Sequence, residues 1–165
     1  MTSPQWDVRF ATAADVPDLM RLIRGLAEYE KLTHLVVADD AALADALFGA
    51  RPAAEALIAK DAAQGGQAAG FALFFHTFST FLGRRGLWLE DLFVLPERRG
   101  QGLGRRLLTD LAVIARERGC GRFEWSVLDW NAPAIGFYQR MGATLLPDWR
   151  IARVTGDALA RFGQD

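Results

Sequence analysis

Residues 99–104 read Arg-Gly-Gln-Gly-Leu-Gly, lying between the apolar run Leu87–Leu95 and a run with helical period that starts at Leu103. This order of strand, glycine turn and helix constrains the fold more than any other feature. Glycines lack Cβ, so their backbone can approach an anion closely, and the first N–H groups of the following helix point to the same place. Arg98, Arg99, Arg105 and Arg106 add positive charge around the turn. The plainer alternative is a glycine-rich turn with a solvated basic face. A Walker loop needs Gly-Lys-Ser/Thr, which this segment lacks. A dinucleotide fingerprint needs Gly-x-Gly-x-x-Gly in a βαβ unit, whereas these glycines are two apart and only about sixty residues follow. Neither fits.

The remaining chain supplies a sheet around this turn. Val8–Phe10 reads as a first strand, and Thr12-Ala-Ala-Asp15 has capping-box spacing with Asp in place of Glu. Val16, Leu19, Met20, Ile23, Leu26 and Ala27 then recur at helical spacing, and a second helix is predicted over Asp40–Phe48. The alanines of 53–60 favour helix by propensity, but the turn signals of Asp61–Gly66 make this stretch a strand. Gln67–Phe78 is a long apolar strand, Gly83–Gly86 a turn and Leu87–Leu95 a third strand of one antiparallel meander. A helix over Leu103–Ala115 ends at Gly119 and Gly121. A strand over Phe123–Leu128 and a helix over Ala132–Met141 stopped by Gly142 follow, with a last strand within Trp149–Val154. The result is an α/β domain with a mixed, mostly antiparallel central sheet flanked by helices. No repeat or linker divides it, so a single domain over residues 1–165 is expected.

Composition narrows the partners. Lys plus Arg number 19 and Asp plus Glu 20, a formal charge of −1, which argues against a generally basic nucleic-acid binder. Cys120 is the one cysteine, so no internal disulfide can form, in keeping with a reducing, cytoplasmic setting. With only His34 and His76 beside it, no metal site is expected. Met1–Trp6 has no charged region leading into an apolar one, and no run is long enough for a membrane span. No membrane or nucleic-acid partner is expected.

Three motifs together resemble the GCN5-related N-acetyltransferase superfamily. Arg99-Gly-Gln-Gly-Leu-Gly104 is similar to its acetyl-CoA loop, and Leu89-Glu-Asp-Leu-Phe-Val-Leu-Pro96 to its central strand. Asn131-Ala-Pro-Ala-Ile-Gly-Phe-Tyr-Gln-Arg-Met-Gly-Ala143 is similar to its closing motif, and the likeness runs from about Val8 to Trp149. Arg9-Phe-Ala-Thr-Ala-Ala-Asp15, Leu26-Ala-Glu-Tyr-Glu30, Leu89-Glu-Asp91 and Trp130-Asn-x-Pro133 further resemble the diamine (spermidine/spermine) and thialysine acetyltransferase branch. The resemblance implies transfer of acetyl from acetyl-CoA to a primary amine of a small molecule, in a ternary complex and without a metal. It also implies a homodimer. The same chemistry would serve a protein lysine or N-terminal acetyltransferase, and the scaffold alone would serve a non-catalytic acyl-CoA-binding module.

Specific residues follow from it. An alkylammonium must lose a proton before attack, and Glu90 matches the glutamate that accepts it. Asp91, its neighbour in a strand, faces the other way unless a local bulge intervenes and suits a cationic substrate, although either acid also suits a structural ion pair. Tyr138 matches the general acid, a phenol protonated at neutral pH that can supply the departing thiolate. Acetyl-CoA is expected at Arg99, Gly100, Gln101, Gly102, Leu103, Gly104 and Arg105, at the backbone of Leu92, Phe93 and Val94, and at Asn131 and Tyr138. Asn131 equally suits a helix cap. Tyr29, Glu30 and Trp149 match substrate-facing positions, although Tyr29 and Glu30 also suit a helix surface and Trp149 a buried aromatic anchor. The chain departs from polyamine enzymes at His76–Gly83, where Ser79 and Phe81 stand in place of an Asp-Pro-Trp element. That loss favours a shorter amine or a thialysine-like amino acid over a long polycation.

Overall fold

The computed structural model describes residues 6–164. Its contacts divide the chain into two compact units, one ending at Ser126 and the other beginning at Val127. In the first, β1 (Trp6–Phe10), α1 (Val16–Tyr29), α2 (Asp40–Phe48), β2 (Glu55–Asp61), β3 (Gln67–Ser79), β4 (Arg84–Val94), α3 (Leu103–Glu117) and β5 (Phe123–Trp125) follow in order. The strands form one sheet in the order β1-β2-β3-β4-β5. The first four are antiparallel neighbours, and β5 runs parallel to β4. The mixed α/β architecture is the expected one.

Residue alternation decides which helix covers which face. Ala56, Ile58, Phe71, Leu73 and Phe93 pack with Val16, Leu19, Met20, Leu22 and Leu26 of α1. The alternate positions face α3, whose Leu103 approaches Gly70 so closely that a Cβ there would lie 3.3 Å from Leu103 Cδ2 and 2.7 Å from the Phe93 carbonyl. At the other end of α3, Arg118 forms a two-pronged pair with Glu55 of β2. Leu107 and Leu111, between these anchors, are fully buried.

The predicted capping box is present on a short 3-10 turn, Ala13–Asp15, that leads into α1. Thr12 N donates to Asp15 Oδ2 at 2.8 Å. The Asp15 side chain is only 3% exposed, and it also accepts from Arg9 at 2.7 Å and Lys60 at 2.9 Å. One carboxylate thus ties β1, β2 and the start of α1. The Arg9 guanidinium bonded to it, with Thr12 and Lys60, holds its pKa well below the usual carboxylate range.

In the second unit, α4 (Ala132–Arg140) and α5 (Gly156–Arg161) are the regular elements. Gly142, at φ +96°, ends α4 as expected. The strand expected within Trp149–Val154 does not form: the backbone there joins no ladder, and α5 follows. Arg150 and Arg153 interrupt its alternation, and a strand without a partner leaves its peptide groups unsatisfied. The strand expected over Phe123–Leu128 stops at Trp125, and the turn expected over Gly83–Gly86 lies earlier, because β4 already begins at Arg84.

Asp15→Asn is expected to cost about 3 kcal/mol at pH 7, measured by urea unfolding. Because folding depresses the Asp15 pKa, its contribution is complete above the unfolded carboxylate value of about 4 and fades as pH falls below it. The stability gap between the two proteins should therefore close in acid. A gap independent of pH would show that the ionised carboxylate is not its source.

Candidate active site

The centre of the site is an irregularity in β4. Leu73 pairs with Asp91, but the next residue, Phe74, pairs with Leu89, so Glu90 is an extra residue. This is the local bulge that the sequence-based alternation rule allowed as its exception. It switches the faces of β4: Leu89, opposite Phe74, faces α3, whereas Asp91, opposite Leu73, faces α1 along with Phe93. Glu90 is exposed, and its Oε2 accepts from Trp88 Nε1 at 3.0 Å.

Asp91 is half-buried among acids. Burial, then Glu90, then Glu30 raise its pKa to about 6. Burial also raises that of Glu30, just beyond the end of α1. The structure thus brings together Glu30, Glu90 and Asp91, three residues expected at the site. The Glu-Asp doublet in an apolar strand was visible in the sequence. The bulge that lets both acids act in one field was not, nor was the tuned carboxyl at Asp91.

Beside this cluster, β4 has an unequal pair of neighbours. β3 accompanies it throughout, from Ser79 opposite Arg84 to Gly70 opposite Val94. β5 pairs with it only over Leu87–Leu89. Among the described residues no strand continues the ladder beside Leu92, Phe93 and Val94, so one backbone edge there is left without a sheet partner.

The chain then reaches the glycine turn. Gly100 and Gly102 have φ of +73° and +82°, and a Cβ on either would meet nothing within 4 Å. Their requirement is therefore conformational, and it leaves space over the turn. Gly102 is the N-cap of α3 and offers no side chain to its first N–H groups. These are the features a pyrophosphate would use, and they fit the acetyl-CoA expected at residues 99–105. Leu103 is buried beneath the turn, so its contribution is packing plus its N–H.

The four arginines have separate tasks. Arg106 pairs with Asp110, and Arg98 with Asp61. Arg99 lies 4.6 Å above the Tyr29 ring and donates from Nε to the Val94 carbonyl at 3.0 Å. Arg105 has no ion-pair partner among the described residues. Sequence inspection credited all four with the same positive field, because nothing in the sequence shows how their charges are spent.

In the second unit, Asn131 caps α4, its Oδ1 accepting from Ala134 N at 3.4 Å. The cap is therefore present, whatever else Asn131 contacts. Tyr138 lies on α4 with its ring 5.5 Å from that of Phe137. Trp149 is 80% exposed, which removes the buried-anchor alternative. In the first unit Ser79 is nearly buried, and its Oγ accepts from Leu82 N and Arg122. It is committed to its own turn, while Phe81 is exposed.

The acetyltransferase (GNAT) family model matches residues 19–143. A thialysine N-epsilon-acetyltransferase of Mus musculus is 38% identical, over 92% of this chain and 94% of that protein. An L-ornithine N5-acetyltransferase of Arabidopsis thaliana is 34% identical, over 92% of this chain and 85% of that protein. An integron cassette protein of V. cholerae superposes with a TM-score of 0.80 at 24% identity, over the whole of both chains, a likeness of fold.

A carboxyl-carbon NMR titration of Asp91 is expected to have its midpoint at about 6. Glu90→Gln and Glu30→Gln should each lower it by removing a neighbouring negative charge. An ordinary midpoint of about 4 would dissolve the acid cluster as an electrostatic unit.

Proposed function

The chain belongs to the acetyltransferase (GNAT) family, and from that premise we propose that it transfers the acetyl group of acetyl-CoA to a primary amine of a short diamine or a thialysine-like amino acid, by direct attack in a ternary complex. The observation that carries the reading is the clustering of Glu30, Glu90 and Asp91 around the bulge of β4. An acidic cluster of this kind attracts a substrate with ammonium groups and can take a proton from one of them. Among the described residues no helix is long and apolar enough to cross a membrane. A cytoplasmic homodimer remains part of the proposal.

The residues present suit acetyl-CoA, since Gly100 and Gly102 open the turn and the uncapped start of α3 offers N–H donors. The backbone of residues 99–104, with Arg105, would hold its phosphates, and the free edge of β4 at Leu92–Val94 its pantetheine arm. Bound acetyl-CoA supplies an activated acyl group. N–H groups of that edge aimed at the thioester carbonyl would polarise it. Glu90, exposed on the bulge, accepts the proton of the attacking ammonium, directly or through water. Asp91 and Glu30 hold the substrate's positive charge beside Tyr29. Tyr138 donates its phenolic proton to the departing thiolate, and Asn131 lends a polar contact to the CoA arm. Trp149 is assigned to the amine substrate on the resemblance alone.

The site favours short amines for a physical reason. Ser79 spends its hydroxyl on Leu82 and Arg122, and Phe81 adds no charge, so this segment offers no carboxylate to a distant ammonium. CoA release with acetyl-CoA should therefore be faster with thialysine, ornithine or putrescine than with spermine, and slight with a lysine peptide. Turnover of the peptide, with free amines silent, would favour a protein acceptor. Silence with every amine, despite tight acetyl-CoA binding, would favour a binding module.

The pH dependence follows from Asp91. Below its pKa of about 6 the carboxyl is neutral and attracts ammonium poorly, so kcat/KM should rise with pH through that value. Asp91→Asn should remove this limb. Tyr138→Phe should lower kcat by about tenfold to a hundredfold while leaving the Kd for CoA nearly unchanged. An unaltered kcat would remove Tyr138 as the acid.

A further inference from the structure

Arg98 adjoins the glycine turn, yet its charge is turned away from it. Its Nη1 lies 3.2 Å from Asp61 Oδ2, and its Nη2 donates to Gln64 Oε1 at 2.7 Å. The planar guanidinium is thus gripped at two points by one short segment, which fixes its orientation as well as its position. Asp61 is 1% exposed, among the most buried polar residues described. Its second oxygen accepts from Ala63 N at 3.0 Å, and its carbonyl accepts from Gly66 N at 2.9 Å. The carboxylate is therefore part of the rigid link between β2 and β3.

On the other side, Arg98 closes a 3-10 turn, Pro96–Arg98, with its N–H bonded to the Leu95 carbonyl. The next residue opens the glycine turn. Gly100 and Gly102 have wide conformational freedom in the absence of restraint, and ordering them costs entropy whenever an anion binds. Downstream, Arg99 Nε donates to the Val94 carbonyl at 3.0 Å and Arg106 N to the Gly102 carbonyl at 3.0 Å, while Gln101 is held by longer bonds, Trp6 Nε1 donating to its carbonyl and its Nε2 to the Glu97 carbonyl, each at 3.3 Å. A buried ion pair adds little net stability compared with apolar packing, but it specifies geometry.

We propose that Asp61 and Gln64 are positioning residues for acetyl-CoA, acting through Arg98 to hold the glycine turn in its anion-binding shape before the ligand arrives. The proposal rests on reading residues 99–104 as the acetyl-CoA turn. The ordering entropy is spent on folding rather than on binding, which raises affinity without adding a contact to the ligand. Arg98 is then a strut. Its own charge, neutralised by Asp61, is withheld from the phosphates.

The test is calorimetric titration of CoA into the full chain and its Asp61→Asn, Arg98→Met and Gln64→Ala variants, with the Asp61→Asn/Arg98→Met double variant. The Kd should rise about tenfold for the first two and about threefold for Gln64→Ala, and the double variant should be no worse than its worse parent. At saturating acetyl-CoA, kcat and the amine KM should stay within about twofold of wild type, and amide exchange at residues 100–104 should accelerate. A general loss of structure would move all of these quantities together. If Asp61→Asn does not fold, exposed Gln64 and Arg98→Met decide the matter. Unchanged Kd values in folded variants would overturn the positioning role. A wild-type chain that binds no CoA would overturn the reading of the turn itself.

Discussion

One additional residue in β4 organises the rest of the molecule. With Glu90 bulged out, Leu87 and Leu89 serve the α3 face, while Asp91 and Phe93 serve the α1 face. An unbroken strand would keep Leu89, Asp91 and Phe93 on one face, giving either a carboxylate under α3 or a leucine among the acids. The bulge avoids both. It lets a hydrophobic strand carry two adjacent carboxylates with Glu90 exposed and Asp91 only half-buried, and it sets the Asp91 carboxyl near Glu30 at the end of α1.

The same strand also joins the two halves of the chemistry. Leu87–Leu89 are paired on both sides, and the part of the strand after them is paired only with β3. Immediately after Val94 the chain turns through Pro96–Arg98 into the glycines and then α3. The Glu90–Asp91 doublet, the free backbone edge and the glycine turn thus follow one another along the same stretch of chain. Arg99 makes the link lateral too, since it bonds the Val94 carbonyl and stacks on Tyr29 of α1. Electrostatics in this unit is local and assigned: Asp15 serves Arg9 and Lys60, Glu55 serves Arg118, and Asp61 serves Arg98.

Where local signals are strong, the sequence is a good guide. The capping box at Thr12–Asp15, the apolar period of Val16–Ala27 and the Asp40–Phe48 helix appear where spacing and turn residues place them, and the three strands of the meander form with the second turn shifted earlier. It fails where a long-range partner decides. Trp149–Val154 has strand-like composition and no ladder to join, and the stretch after Trp125 loses its pairing although its residues favour strand. Within the site, the types and positions of Glu30, Glu90, Asp91 and the glycines are visible as motifs. The clustering of the acids is not, because it depends on a register slip that period-2 reasoning treats as an exception.

By itself the sequence determined the order of elements as far as α4, the glycine turn at the start of α3, the family and the positions of the acids and glycines offered as a site. These are properties of short windows, written in side-chain period, capping and spacing. The tertiary structure decided which charges remain available. It neutralised Arg98 and Arg106, set Arg99 over Tyr29, and brought Asp91 to a pKa of about 6 by partial burial beside Glu90 and Glu30. Burial and charge pairing are sums over neighbours distant in sequence, so no window of the chain contains them.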